Sequence, residues 1–252
     1  MEFRKTKKPF QRKFRTRAER DAARAARAAR INTSPGRVTA LEAQLKRPGR
    51  FTLYVDDHFA MGLSAYAAAS VRVGQELARA DLENLLRAEQ LEQAREKALS
   101  LLAVRPRSEQ ELRQRLAQKN YSEEIITLVI ARLGDVKLVD DRDFAKFWVE
   151  NREGFKPRSK RALQYELRQK GVSSQEIARA VKKVDERDSA YRAAHSKALR
   201  YKDLDAQSFR EKLGGFLARR GFDYSVTRET VNRLWQEVNG TQENSEQDWE
   251  IE

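Results

Sequence analysis

The sequence predicts a mainly α-helical protein. Its expected form is tandem three-helix repeats in an elongated, curved array, preceded by a small antiparallel β meander and a basic N-terminal tail. Three observations predict this. Helix formers dominate the 252 residues, with only 5 Pro and 11 Gly. The stretch RPRSEQELRQRLAQKNYSEEIITLVIARL (105–133) is restated fifty-one residues later as KPRSKRALQYELRQKGVSSQEIARAVKKV (156–184). A weaker third copy follows after fifty more, mapping Leu163 to Leu213, Leu167 to Leu217, Lys170 to Arg220, Val181 to Val231 and Val184 to Leu234. Repeated helical units that each bury a modest face stack on one another into an extended body.

Residues 1–37 read as a tail. They hold thirteen Lys/Arg against Glu2, Glu19 and Asp21, a large share of the chain's net +13. Lys7, Lys8, Arg12, Lys13 and Arg15 interleave with Phe3, Phe10 and Phe14, a pattern suited to stacking on bases. Arg17, Arg20, Arg24, Arg27 and Arg30 recur every three or four residues, which places them within about 140° of one helix face. Like charges so close repel, so this helix is expected to form on contact with a polyanion. The competing reading is a solubilising, disordered extension.

From Val38 the texture changes. VTALEAQL, RFTLYV and HFAMGL are short β-prone runs divided by the turn-forming KRPG and DD. Phe51, Leu53 and Val55 alternate, as a half-buried strand requires. SAYAAAS reads as a short helix, and VRVGQEL leads into a long one over about 81–104. Leu82, Leu85, Leu86, Ala94, Ala98 and Leu102 form its apolar stripe. A three-strand meander needs a helix packed on it to be stable.

Each repeat unit is expected to contain a lead-in, a middle and a closing helix. Ser108 followed by Glu111, and Ser173 followed by Glu176, have capping-box spacing. Asn120, Gly171 and Gly221 occupy matching places where a middle helix ends in a left-handed residue, a position that favours Gly and tolerates Asn. The following apolar residue should then touch the one five positions earlier: Tyr121 with Leu116, Val172 with Leu167, Phe222 with Leu217. Ser122, Ser173 and Asp223 stand next as N-caps of the closing helices. The resulting division is a tail over 1–37, a meander with short helix over 38–80, and a long helix with the first unit over 81–139. The second unit covers 140–186, the third 187–238, and an acidic tail 239–252.

RPRSEQELRQRLAQKNY (105–121), LVDDRDFAKFWV (138–149) and KPRSKRALQYELRQKGVSSQEI (156–177) resemble the RecX family, bacterial regulators of RecA recombinase. GRFTLYVDDHFAMGLS (49–64) with RVGQEL resembles the sheet-containing N-terminal part of that family. The likeness spans about 38–238 and rests on the order and spacing of the motifs together. The basic tail lies outside it, and Asn120 stands where the family commonly has Gly. The resemblance implies a monomeric, non-enzymatic protein without cofactor that lies in the groove of RecA filaments on single- or double-stranded DNA. It would limit filament growth, ATP hydrolysis and strand exchange.

The residues themselves single out no catalytic centre. Phosphate-cradling and dinucleotide glycine motifs and H-E-x-x-H are absent from the sequence. His58 and His195 are expected as ordinary surface residues. One of Asp140 and Asp141 is expected to cap the helix before Phe144, where negative charge is favoured, rather than the pair holding a metal. Phe144, Phe147, Trp148 and Trp235 are expected in cores. Cysteine is absent, which removes disulfides and suits a reducing cytosol. Apolar runs such as 125–131 are too short to span a membrane, and the N-terminus shows no apolar signal core, so a cytoplasmic, membrane-free protein is expected.

The remaining signal is charge. Arg105, Arg107, Arg113, Arg115 and Lys119 of the first unit recur approximately as Lys156, Arg158, Lys160, Arg161, Arg168 and Lys170 of the second. As a set they form a positive ribbon for phosphates or for an acidic partner surface; singly, each is equally a solvated helix position. A sequence-reading helix-turn-helix DNA-binding protein is the alternative function, since such units also place helices in the major groove.

Overall fold

A computed structural model describes residues 31–246. The tail cations Lys7, Lys8, Arg12, Lys13, Arg15, Arg17, Arg20, Arg24, Arg27 and Arg30 lie outside the described residues, as do the last six positions. The chain divides into two compact bodies whose boundary in sequence lies between Gln93 and Ala94.

The first body contains β1 (Gly36–Ala43), β2 (Arg50–Val55) and β3 (His58–Ser64). They form an antiparallel sheet with a short fourth strand, β4 (Glu76–Leu77), in the order β3-β2-β1-β4. The DD turn joins β2 to β3 with both aspartates left-handed, Asp56 at φ 47° and Asp57 at φ 62°, matching a two-residue hairpin turn. β4 was not expected. Two residues carry no alternation for a sequence to display; β1 selects them, Gly36 and Arg37 pairing with Leu77 and Glu76 while Val38 bonds Gln75 and Gly74 just before them. The fold also begins inside the stretch read as tail: Ile31 packs on the sheet core and the Asn32 amide donates to the Ala60 carbonyl.

α1 (Ala65–Ala68) is the expected short helix, capped by Ser64. α2 (Arg79–Leu102) follows, and its Leu82 joins Val38, Leu53, Val55, Met61 and Leu63 in the buried core. Glu89 of α2 is buried as well. Its carboxylate accepts from the Ser64 amide and pairs with Arg50, each at 2.5 Å. The cost of burying that charge is thus offset by a charge-assisted hydrogen bond and a counterion.

The second body holds the repeats. α3 (Glu109–Ala117) and α4 (Glu123–Asp135) are the middle and closing helices of the first unit. α5 (Asp141–Phe155), α6 (Lys160–Gln169) and α7 (Ser174–Val181) make the second, and α8 (Glu186–Arg200), α9 (Ala206–Arg219) and α10 (Tyr224–Glu246) the third. The second unit builds its own core from Phe144, Val149, Leu163, Leu167, Val172 and Ile177. The third builds another from Ala190, Ala194, Phe209, Leu213, Leu217 and Phe222, with Trp235 edge-on to Phe209 at 5.0 Å.

The helix ends follow one rule three times. Asn120 (φ 58°), Gly171 (φ 79°) and Gly221 (φ 90°) are left-handed. The Tyr121, Val172 and Phe222 amides reach back to the Leu116, Leu167 and Leu217 carbonyls at 3.4, 3.2 and 3.3 Å. The left-handed residues themselves bond to the Ala117, Arg168 and Ala218 carbonyls, which completes a Schellman closure in each unit. Ser122, Ser173 and Asp223 then cap the closing helices.

Local expectation and structure part at three places. The capping boxes form on one side only: Ser108 accepts from the Glu111 amide and Ser173 from the Glu176 amide, but neither glutamate returns the bond. Glu111 binds Arg105 and Lys170, and Glu176 binds Arg179, because a cation outcompetes a neutral amide for a carboxylate. In the third unit the cap moves upstream to Asp205, so α9 starts about one turn early and the serine falls out of register. α10 runs through residues read as acidic tail, as far as Glu246.

Candidate interaction surface

Successive repeats meet end to end. The C-terminus of α6 abuts the N-terminus of α3, and the C-terminus of α9 abuts the N-terminus of α6, so the three middle helices follow one another tail to head. At the first joint a Cβ built on Gly171 would stand 2.7 Å from Gln110 Cβ, and at the second a Cβ on Gly221 would stand 2.9 Å from Ala162 Cβ. These two glycines therefore serve both a left-handed turn and a close approach between units. Asn120 has the same backbone conformation but is exposed, which is why the first unit keeps a side chain there.

Polar groups complete both joints. Asp141, the first residue of α5, accepts from the Glu109 amide at 2.9 Å. Glu186, the first residue of α8, accepts from the Lys160 amide at 3.1 Å. Each lead-in helix thus supplies a carboxylate to the positive end of the preceding unit's middle helix. Asp140 and Asp185 meanwhile cap their own helices. Of the two aspartates, Asp140 is the cap and Asp141 serves the neighbouring unit, and burial raises the pKa of Asp141.

Lys170 and its equivalent Arg220 reach across the same joints. Lys170 Nζ donates to Glu111 Oε1 at 2.6 Å and lies 4.3 Å from the Trp148 ring. Arg220 donates to the Pro157 carbonyl at 2.9 Å, while the Ser159 amide donates to the Arg220 carbonyl at 3.3 Å. Behind Lys170, Trp148 Nε1 donates to Glu166 at 2.7 Å, and Arg152 and Arg158 pair with the same carboxylate. Trp148 is thus held by hydrogen bonding within the second unit's packing.

Nine of the cations read as one ribbon separate into two classes. Arg105 forms a two-pronged pair with Glu111, and Arg107 donates to the Leu101 carbonyl. Arg113 bridges Glu109 and Glu123; Arg158 and Lys170 are engaged as described. These five hold the helices together. Lys119, Lys160, Arg161 and Arg168 make no side-chain hydrogen bond or ion pair among the described residues, and all but half-buried Lys160 are exposed.

Sequence reasoning passed over one residue on this surface. Tyr165 is 62% exposed on α6, between Arg161 and Arg168. The signal was available: with Leu163 and Leu167 buried, position 165 falls on the outward side of the helical wheel. A cleft of about 840 Å³ between α5, α7 and α8 offers less selectivity, because Arg142, Lys146, Arg179 and Lys183 alternate there with Glu150, Glu153, Glu176 and Asp188. Among the described residues no three His or acidic side chains gather as a metal site, and no helix is long and apolar enough to cross a membrane.

Comparison with known proteins finds three consecutive family matches along the second body. Family models described as the first, second and third three-helix domains of RecX match residues 94–133, 140–181 and 185–231. The Regulatory protein RecX of Mycobacterium sp. (strain KMS) is 40% identical over 148 residues, covering 56% of this chain and 80% of its own. That of Chlorobium limicola is 37% identical over 139 residues, covering 55% and 87%. A crystal structure of regulatory protein RecX matches with a TM-score of 0.60 at 23% identity, over 78% of this chain and 98% of its own. RecX from Lactobacillus salivarius matches with 0.51 at 20%, over 58% and 97%. The solved structures share the fold, and three consecutive domain matches with relatives near 40% identity establish the lineage: this chain belongs to the RecX family.

Proposed function

We propose that this protein regulates RecA recombinase by binding along RecA–DNA filaments, limiting their growth, ATP hydrolysis and strand exchange without catalysing a reaction itself. The observation that carries the reading is the end-to-end order of α9, α6 and α3, fixed by two matching joints in a chain of the RecX family. A fixed spacing of similar units lets many weak contacts register with the repeat of a polymer. Free cations at Lys119, Arg161 and Arg168 supply attraction to an acidic partner or to phosphates. The N-terminal cluster, net +10 over residues 1–37, adds affinity for DNA by counterion release.

The test is RecA-catalysed ATP hydrolysis on single-stranded DNA with substoichiometric amounts of this protein. A decline well below one copy per recombinase subunit supports the reading, and unchanged hydrolysis at saturating protein rejects it. A strong preference for one duplex over random DNA in competition would instead support the helix-turn-helix alternative. Five engaged tail arginines correspond to a log–log salt slope of about −3.5 on single strands or −4.5 on duplex. Deleting residues 1–30, which spares Ile31, should flatten that slope.

A further inference from the structure

We propose that the outward face of α6 is a platform for single-stranded nucleic acid, with Tyr165 stacking on a base and Arg161 and Arg168 holding the flanking phosphates. The inference rests on the filament reading for its setting and adds which component of the filament this face meets.

Arg161, Tyr165 and Arg168 fall within about 60° of arc, at the helical spacing that puts side chains side by side. Leu163 and Leu167 occupy the opposite side and are fully buried. Nothing in the fold requires a large aromatic at 165. The matching positions of α3 are Gln110, Gln114 and Ala117, and those of α9 are Glu211, Gly215 and Ala218. Three copies of one scaffold therefore pack with three different outward faces, and the middle copy alone combines an aromatic with two free guanidinium groups.

That combination has a chemical preference. An exposed tyrosine ring offers a stacking surface, and stacking on a base tolerates any sequence because every base has a π face. Two arginines one turn to either side fit the anionic backbone that continues past the stacked base. In a duplex the base faces are already stacked on one another, so the Tyr165 ring finds no free π face there and only the arginines contribute. The face is therefore selective for unpaired strands.

The test uses the full chain and a fluorescein-labelled oligothymidylate, read by anisotropy at moderate salt to reduce the N-terminal contribution. Tyr165→Ala should weaken single-strand binding roughly tenfold, while Tyr165→Phe keeps it and duplex affinity changes little. Arg161→Ala and Arg168→Ala should each reduce the salt slope. Photocrosslinking with 5-iodouracil in the strand should label Tyr165. Unchanged affinity of Tyr165→Ala, an equal loss on duplex, or crosslinks confined to other segments would overturn the inference. Loss of binding to DNA-free recombinase, with single-strand affinity intact, would reassign the face to an acidic protein surface. RecA ATP hydrolysis measured on the same variants separates the two ideas: inhibition that persists with unaltered strand binding removes this inference and keeps the filament reading.

Discussion

Lys170 donates to Glu111 across fifty-nine residues of sequence, tying the end of one repeat's middle helix to the start of another's. Glu111 is also gripped by both terminal nitrogens of Arg105, at 2.9 and 3.0 Å. Burial works against its charge, yet the hydrogen bonds from Arg105 and Lys170 win and lower its pKa to about 2.

Because the folded pKa of Glu111 is depressed, its stabilising contribution is present above the unfolded value near 4.5 and disappears as pH falls towards about 2. Glu111→Gln should therefore lower stability at pH 7 by roughly 2–3 kcal/mol. The gap between variant and parent should narrow as acid is added. Denaturant unfolding at pH 7, 4 and 3 measures this; a gap independent of pH would contradict the assignment.

Lys170→Met should reduce thermal stability by several degrees, since it leaves Glu111 short of one partner and removes the cation above Trp148. It should leave oligonucleotide affinity nearly unchanged, because Lys170 is committed to the joint. Paired melting and binding measurements distinguish this structural cation from the free cations of α6.

Gly171→Val should destabilise by more than about 2 kcal/mol, since a β-branched residue strains the left-handed turn and its Cβ meets Gln110. Gly221→Ala should also be costly, with Ser159 and Ala162 pressed against it. Asn120→Gly should be within about 0.5 kcal/mol of neutral, because that exposed position needs only the conformation. Thermal unfolding of the three variants gives the ranking.

Burial raises the pKa of Asp141, so its negative charge costs stability once pH rises through the folded value, while its oxygen remains a useful acceptor for the Glu109 amide. Asp141→Asn keeps an acceptor and should be neutral or slightly stabilising at pH 7. Asp141→Ala should lose about 1 kcal/mol by removing it. Chemical denaturation of both variants at neutral pH checks the sign.

How much of this was legible beforehand depends on the range of the interaction. Ser122, Ser173 and Asp223 act within three residues of themselves, and Asn120, Gly171 and Gly221 within five, so their roles could be read from spacing. The cations could not be sorted in that way. Arg168 in the last turn of α6 and Lys170 just past its end are two residues apart, yet one is free and the other anchors a joint.

The sequence by itself determined the three-unit grammar, the helix ends, the buried leucines and the excess of positive charge, because periodicity and backbone conformation are local properties. Tertiary structure alone decided that β4 joins β1, that Asp141 and Glu186 serve the preceding unit, and which positive side chains remain available to a partner. Those outcomes depend on which unit's surface faces which. The faces come together only when segments some fifty residues apart dock at one joint.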